Sequence, residues 1–139
     1  MDAFDADVLI YAAVDDHLLG RRIRALFATE PGSHAGVGSV LLMPEILVTP
    51  MRDGRAEELT ALASPLSRLE LRVFDAVTAE VATSLAATHR LRAADAVHLA
   101  TALVAGADRF VTNNRRDFPE TLTDIDVTYP DTLPDPSAG

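Results

Sequence analysis

Apolar residues along this chain fall into runs of two different periods, and each period predicts an element. FDADVLIY, Phe4 to Tyr11, is nearly continuous in β-formers behind an acidic start and predicts a strand buried on both faces. Asp15 or Asp16 can cap a helix through about Thr29, with Leu18, Leu19, Ile23, Leu26 and Phe27 inward and Arg21, Arg22 and Arg24 on a solvated outer face. Pro31-Gly32-Ser33 closes it, and a short strand follows around His34 to Val37. Ser39 is the expected N-cap of a helix over VLLMPEILVTPMR, irregular where Pro44 lacks an N–H.

Beyond Gly54, Arg55 to Leu66 predicts a third helix, interrupted near Pro65. Leu69 to Phe74 alternates apolar and polar residues as a half-exposed strand, and Thr78 then caps a helix from Ala79 to about His89. An Ala-rich helix carrying Asp95 near its start stops at Gly106. Arg109 to Val111 follows as a strand that opens into the polar tip Thr112-Asn113-Asn114, and Ile125 to Tyr129 is the last strand. Strands alternating with helices argue for an α/β fold with a mostly parallel sheet. Residues 1–129 read as one domain, and residues 130–139, with three prolines, as a frayed tail.

Composition narrows the chemistry. The absence of Cys removes disulfide scaffolds, zinc ribbons and thiol catalysis together. All 12 basic residues are Arg, so any mechanism that requires a Lys is excluded. A net charge of −9 argues against broad, non-specific attachment to nucleic acid or to an anionic membrane, but it leaves room for a local basic rim. Acids stand at the N-terminus where a signal peptide would carry basic residues, and apolar runs are too short to span a bilayer; the expectation is a cytoplasmic protein.

Several acids sit in places where acids are costly. Asp5 and Asp7 would share one face of the first strand, and a desolvated carboxylate must find a cation, a donor or a proton. Glu45 stands alone in an apolar helical stretch; the solvent stripe is its favoured place, and a cation holding it inward is the alternative. Asp95 begins a helix, and Asn114 and Asp117 follow a strand end, where ligands gather in α/β sheets. Carboxylates without Lys or Arg among them call for a hard divalent cation such as Mg²⁺ or Mn²⁺, which can orient water and polarise a phosphoryl oxygen. His98, three residues after Asp95, reads as a packed or hydrogen-bonded helix histidine rather than a ligand or general base.

FDADVLIY, MPEIL, AADAVHLATAL and FVTNNRRDF, in this order and at these separations, resemble the PIN-domain ribonucleases, specifically the VapC-type toxins of bacterial toxin–antitoxin pairs. The resemblance covers nearly the whole chain. It implies a three-layer α/β/α sandwich around a parallel sheet, a Mg²⁺- or Mn²⁺-dependent endoribonuclease, a cognate VapB-type antitoxin and a homodimer. Carried over by motif, the acids are Asp5, Glu45 and Asp95, with Asp5 and Asp95 holding the metal. The family commonly has Asn or Ser where this chain has Asp7, and an acid where it has Asn114; Asp117 is then the candidate for the fourth charge. Thr112 is expected to hydrogen-bond near the acids, and Arg115 and Arg116 to contact phosphate. Two rivals differ in class. DADVLI also approximates the opening of haloacid-dehalogenase-type phosphatases, which normally use a Lys that this chain lacks. The other is a PIN-like binding module with an impaired site, favoured by Asn114.

Overall fold

The computed structural model describes residues 1–28 and 32–137. Strands β1 (Asp2–Phe4), β2 (Gly36–Ser39), β3 (Leu69–Arg72), β4 (Arg109–Val111) and β5 (Asp126–Thr128) form one sheet, all parallel, in the order β3-β2-β1-β4-β5. The chain moves outward from β1 to β3, then returns to lay β4 on the other side of β1. The order therefore reverses between β1 and β4, and crevices outside strand carboxyl ends form at such reversals.

Between the strands run helices α1 (Ala6–Ala12), α2 (Leu18–Leu26), α3 (Leu42–Arg52), α4 (Ala56–Ser67), α5 (Ala76–His89) and α6 (Ala93–Val104). Successive strand residues face opposite layers, so Ala3 and Phe110 join the core beneath α5 and α6 while Phe4 and Val111 join the core beneath α1 to α4. The result is the expected α/β/α sandwich. Ala96 to Ala102 are buried without interruption in α6, which small side chains permit by letting the helix lie close to its neighbours.

The first expected strand is mostly a helix. β1 ends at Phe4, and Asp5 becomes the N-cap of α1, with Val8, Leu9 and Ala12 buried at helical spacing. A short apolar run does not distinguish a buried strand from a buried helix, and here the N-cap at Asp5, with the acid Asp7 in the first turn, settles it. Other boundaries move for similar local reasons. His17 rather than Asp15 or Asp16 caps α2, its Nδ1 accepting from Leu19 N–H and Gly20 N–H at 3.1 and 3.0 Å. The expected end of that helix at Thr29 and the following Pro31 lie outside the described residues. Ser39 closes β2 and accepts from Leu41 N–H, so α3 starts at Leu42 without a side-chain cap. Pro44 falls in the first turn of α3, where no intrahelical partner is lost; Pro50 is the proline inside that helix. Asp75 caps α5 by accepting from Thr78 N–H at 2.9 Å, displacing Thr78 from that role.

The arginines of α2 are not a solvated face, and the tail is not frayed through residue 137. Arg22 donates to Asp131 O and Leu133 O at 2.8 and 2.9 Å, and Arg21 and Arg22 both reach Asp135. Leu133 is buried in the core beneath α1 to α4. Arg24 donates to Ala12 O, Val14 O and Asp15 O and so satisfies carbonyls at the end of α1. Ala138 and Gly139 lie outside the described residues.

Helices α1 and α2 meet at Gly20, where a Cβ would lie 2.0 Å from Tyr11 O and 2.6 Å from Tyr11 C. Both atoms are backbone and cannot turn aside. Gly20→Ala is expected to destabilise the fold by at least about 2 kcal/mol through overpacking. Urea denaturation checks it, and a midpoint unchanged from wild type would show that the two helices separate freely.

Candidate active site

The carboxyl ends of β1 and β4 bring the first acid into place. Parallel register pairs Phe4 with Val111, and Asp5 N–H donates to Val111 O at 3.0 Å, so Asp5 and Thr112 emerge side by side. Asp5 is buried. Its Oδ1 accepts from Ala6 N–H and its Oδ2 from the Thr112 hydroxyl, both at 2.8 Å. Thr112 Oγ1 in turn accepts from Asn114 N–H at 3.1 Å. Thr112 thus serves as strand-end cap and carboxylate donor at once.

Asp7, on the first turn of α1, accepts from Asn113 N–H at 3.0 Å and ties the loop after β4 to this helix. Asn113 Nδ2 donates to the Tyr11 hydroxyl at 3.2 Å, and the Tyr11 ring stacks on His17 with centroids 4.4 Å apart. Sequence reasoning missed this Asn113–Tyr11–His17 edge. The available signal was a phenol at the end of an otherwise apolar run.

Asp95 lies in the first turn of α6 and is half-buried. Asn114 and Asp117 hold each other: Asn114 Nδ2 donates to Asp117 Oδ2 at 2.9 Å, and Asp117 N–H donates to Asn114 Oδ1 at 3.1 Å. Asn114 therefore orients the Asp117 carboxylate, whose charge acts on Asp95. Glu45 projects from the first turn of α3 on its exposed stripe, as expected, yet its Oε1 also reaches the buried His98 Nε2. His98 is the hydrogen-bonded helix histidine the sequence predicted. A carboxylate partner requires Nε2 to be the donor, and Nδ1 is left buried with no hydrogen-bond partner among the described residues. A buried polar atom without a partner costs roughly 1–3 kcal/mol.

Arg115 is turned away, its guanidinium 4.0 Å over the Tyr129 ring and 2.5 Å from Asp131. Arg116 is exposed.

Electrostatics tie these acids into one cluster. Burial raises the Asp5 pKa, opposed by the His98 charge and the Thr112 and Ala6 hydrogen bonds. Burial and then the Asp5 charge push Asp7 up to about 6. Asp95 is raised by burial, then by the charges of Asp5 and Asp117. Burial opposes charging of His98, but the Glu45 hydrogen bond and the charges of Asp5, Glu45 and Asp95 outweigh it and raise its pKa. Neither Asp5 nor Asp95 forms an ion pair with Arg among the described residues.

The PIN domain family matches residues 3–121, a stretch that holds every acid of this cluster. The chain belongs to that family. This PIN domain is also similar to solved structures. A toxin–antitoxin complex from Klebsiella pneumoniae holds a chain 25% identical, with 94% of this chain and 98% of that one covered and a TM-score of 0.68. A DNA-bound VapBC from Salmonella typhimurium gives 19% identity, coverage of 93% and 97%, and a TM-score of 0.73. VapBC2 from Rickettsia felis, bound to a promoter DNA fragment, gives 17%, coverage of 92% and 97%, and 0.68. No curated protein matches the chain significantly. PIN membership sets aside the phosphatase rival. No helix among the described residues is long and apolar enough to cross a membrane.

A carboxylate whose folded-state pKa is raised holds a proton that the unfolded chain has already released, so stability falls as pH rises through that window. For Asp7 the window runs from 3.8 to about 6. Asparagine would keep an acceptor for Asn113 N–H without the charge. In the metal-free protein, Asp7→Asn is expected to flatten this loss and to be more stable near neutral pH by on the order of 1–3 kcal/mol. Urea midpoints in EDTA on both sides of the window check this; parallel pH profiles for the two proteins would contradict it.

Proposed function

We propose that this PIN domain is the toxin of a type II toxin–antitoxin pair, an endoribonuclease that hydrolyses RNA phosphodiester bonds with Mg²⁺ or Mn²⁺. The observation that carries the reading is the cluster at the β1/β4 switch point, where burial raises the pKa of both Asp5 and Asp95, the Asp5 charge raises Asp95 further, and no Arg among the described residues pairs with either. Desolvated carboxylates held together in this way suit a bound cation. Among the described residues no group of three or more His, Asp or Glu side chains is placed to hold a metal. Mg²⁺ does not require one, because it keeps several waters and is held by one or two carboxylates together with substrate phosphates. The donor set therefore fits: hard carboxylate oxygens, and no thiol in the chain.

Asp5 and Asp95 are the residues that would hold the ion, which when bound stabilises charge on the phosphodiester and acidifies water. The chain's own part is orientation. Ala6 N–H and the Thr112 hydroxyl fix Asp5, and Asn114 fixes Asp117. Glu45, with about a third of its side chain exposed, stands where solvent and cluster meet and serves as proton acceptor for water. Arg116 and Arg115 are the phosphate contacts this reading assigns to the loop, Arg115 after exchanging its exposed pair with Asp131.

The antitoxin assignment is supported by the toxin–antitoxin complexes in which similar chains are found. Exposed Leu18, Val48 and Met51 offer apolar surface for such a partner to cover. The rival binding module has one observation in its favour, the absence of a group of three ligands among the described residues. Mn²⁺ calorimetry separates the two, since the module binds none.

Purified protein, free of any co-purified partner, is expected to cut total RNA with Mn²⁺ or Mg²⁺ and not with EDTA. Asp5→Asn and Asp95→Asn should each lower cleavage by about 10²-fold or more while leaving the fold intact by circular dichroism. Metal-dependent cleavage retained by both variants would falsify the assignment.

A further inference from the structure

We propose that His98 is a positioning residue that turns Glu45 from the solvent stripe of α3 toward the acid cluster, an inference that rests on the nuclease reading above. Two helices distant in sequence make the contact: Glu45 in the first turn of α3 and His98 in the buried middle of α6, 53 residues later. The inward stripe of α3 is Leu42, Ile46 and Pro50, and Glu45 is not on it. Met43 and Pro44 beside it are exposed, as an unheld Glu45 carboxylate would be. What draws the carboxylate inward is the Nε2–H of His98, whose side chain is 1% exposed.

The imidazole is a poor choice for any other role at this place. Its neighbours in the buried run are Ala, Val, Leu and Thr, and a Leu would fill the space without burying a nitrogen. Thr101, also in the run, satisfies its hydroxyl by donating to Val97 O within the helix; His98 makes no such bond, and its Nδ1 has no partner among the described residues. The one hydrogen bond the ring makes is therefore the bond to Glu45. It occupies Oε1 and leaves Oε2 without a protein partner among the described residues, on a side chain 34% exposed. One oxygen fixed from behind and one facing solvent is the arrangement a carboxylate needs to take a proton from a water in a constant direction. The charges of both His98 and Glu45 act on Asp5 and on Asp95, so the pair adjoins the cluster it is proposed to serve.

The test has two arms on the full chain. In the metal-free protein, ¹⁵N spectra of the imidazoles are compared between wild type and Glu45→Gln; the His98 Nε2 resonance is expected to move, and an unmoved resonance overturns the hold whatever the protein cleaves. In the second arm, RNA cleavage is followed with Mn²⁺. His98→Leu should lower kcat by about 10- to 100-fold at nearly unchanged KM, as misplacing a reacting group does. The double variant with Glu45→Gln should be no slower than Glu45→Gln alone. His98→Gln, whose amide nitrogen reaches about as far as Nε2, should recover most of the rate; His98→Asn, which is too short, should not. Rescue by Gln but not Asn also separates positioning from packing where His98→Leu fails to fold. Losses that multiply in the double variant, or equal rates for the Gln and Asn variants, overturn the proposal. A wild type that cuts no RNA overturns the nuclease reading instead, and the ¹⁵N arm still decides whether His98 holds Glu45.

Discussion

A carboxylate can be buried at the end of a central strand only where fixed donors await it, and at Asp5 the chain supplies two. Its backbone N–H continues the ladder to Val111 O, while its side chain accepts from the first amide of α1 and from Thr112. One residue thereby ends β1, starts α1 and locks the end of β4 to both. The crevice at the switch point, the direction of α1 and the placement of the Thr112–Asp117 loop all follow from this junction. Without the α1 N-terminus the same carboxylate would face a steep desolvation cost with a single donor.

The other acids are arranged around it by second-hand contacts. Asp7 grips the loop through Asn113, Asn114 grips Asp117, and His98 grips Glu45. Each grip comes from a different part of the fold, so the cluster's geometry belongs to the packing of these elements rather than to any one motif. Burial first and neighbouring like charges second raise the pKa values of Asp5, Asp7 and Asp95, and those grips hold the acids in place against both. Exposed arginines lie outside this inner set, which keeps the acid cluster sharply distinct from its rim.

Much of this was legible in the sequence, and the failures have physical causes. Asp5, Glu45, Asp95 and Asp117 stood out because acids in apolar surroundings or at element ends are hard to explain otherwise, and the structure brings them to one edge. The helices that became α5 and α6 were readable as separate elements. Phe4–Tyr11 was misread because a seven-residue buried helix and a buried strand carry the same apolar run. The roles of Arg21 and Arg22 were invisible because their partners, Asp131, Leu133 and Asp135, lie more than a hundred residues away. Pairings of that separation leave no periodic trace. The partner of His98 was hidden for the same reason.

Such long separations also set the order of assembly. β1 is the central strand and the first to be synthesised, yet Asp2 meets Arg109 and Asp5 meets Thr112 at a separation of 107 positions. Loop-closure entropy must be met before these contacts reward it. A nascent chain on the ribosome therefore carries Asp5 long before it can bury it, and the acid cluster comes into being only when β4 has emerged. Under the proposed endoribonuclease function, that delay acts as a timing device, since the nascent chain has no assembled acid cluster until β4 has been made.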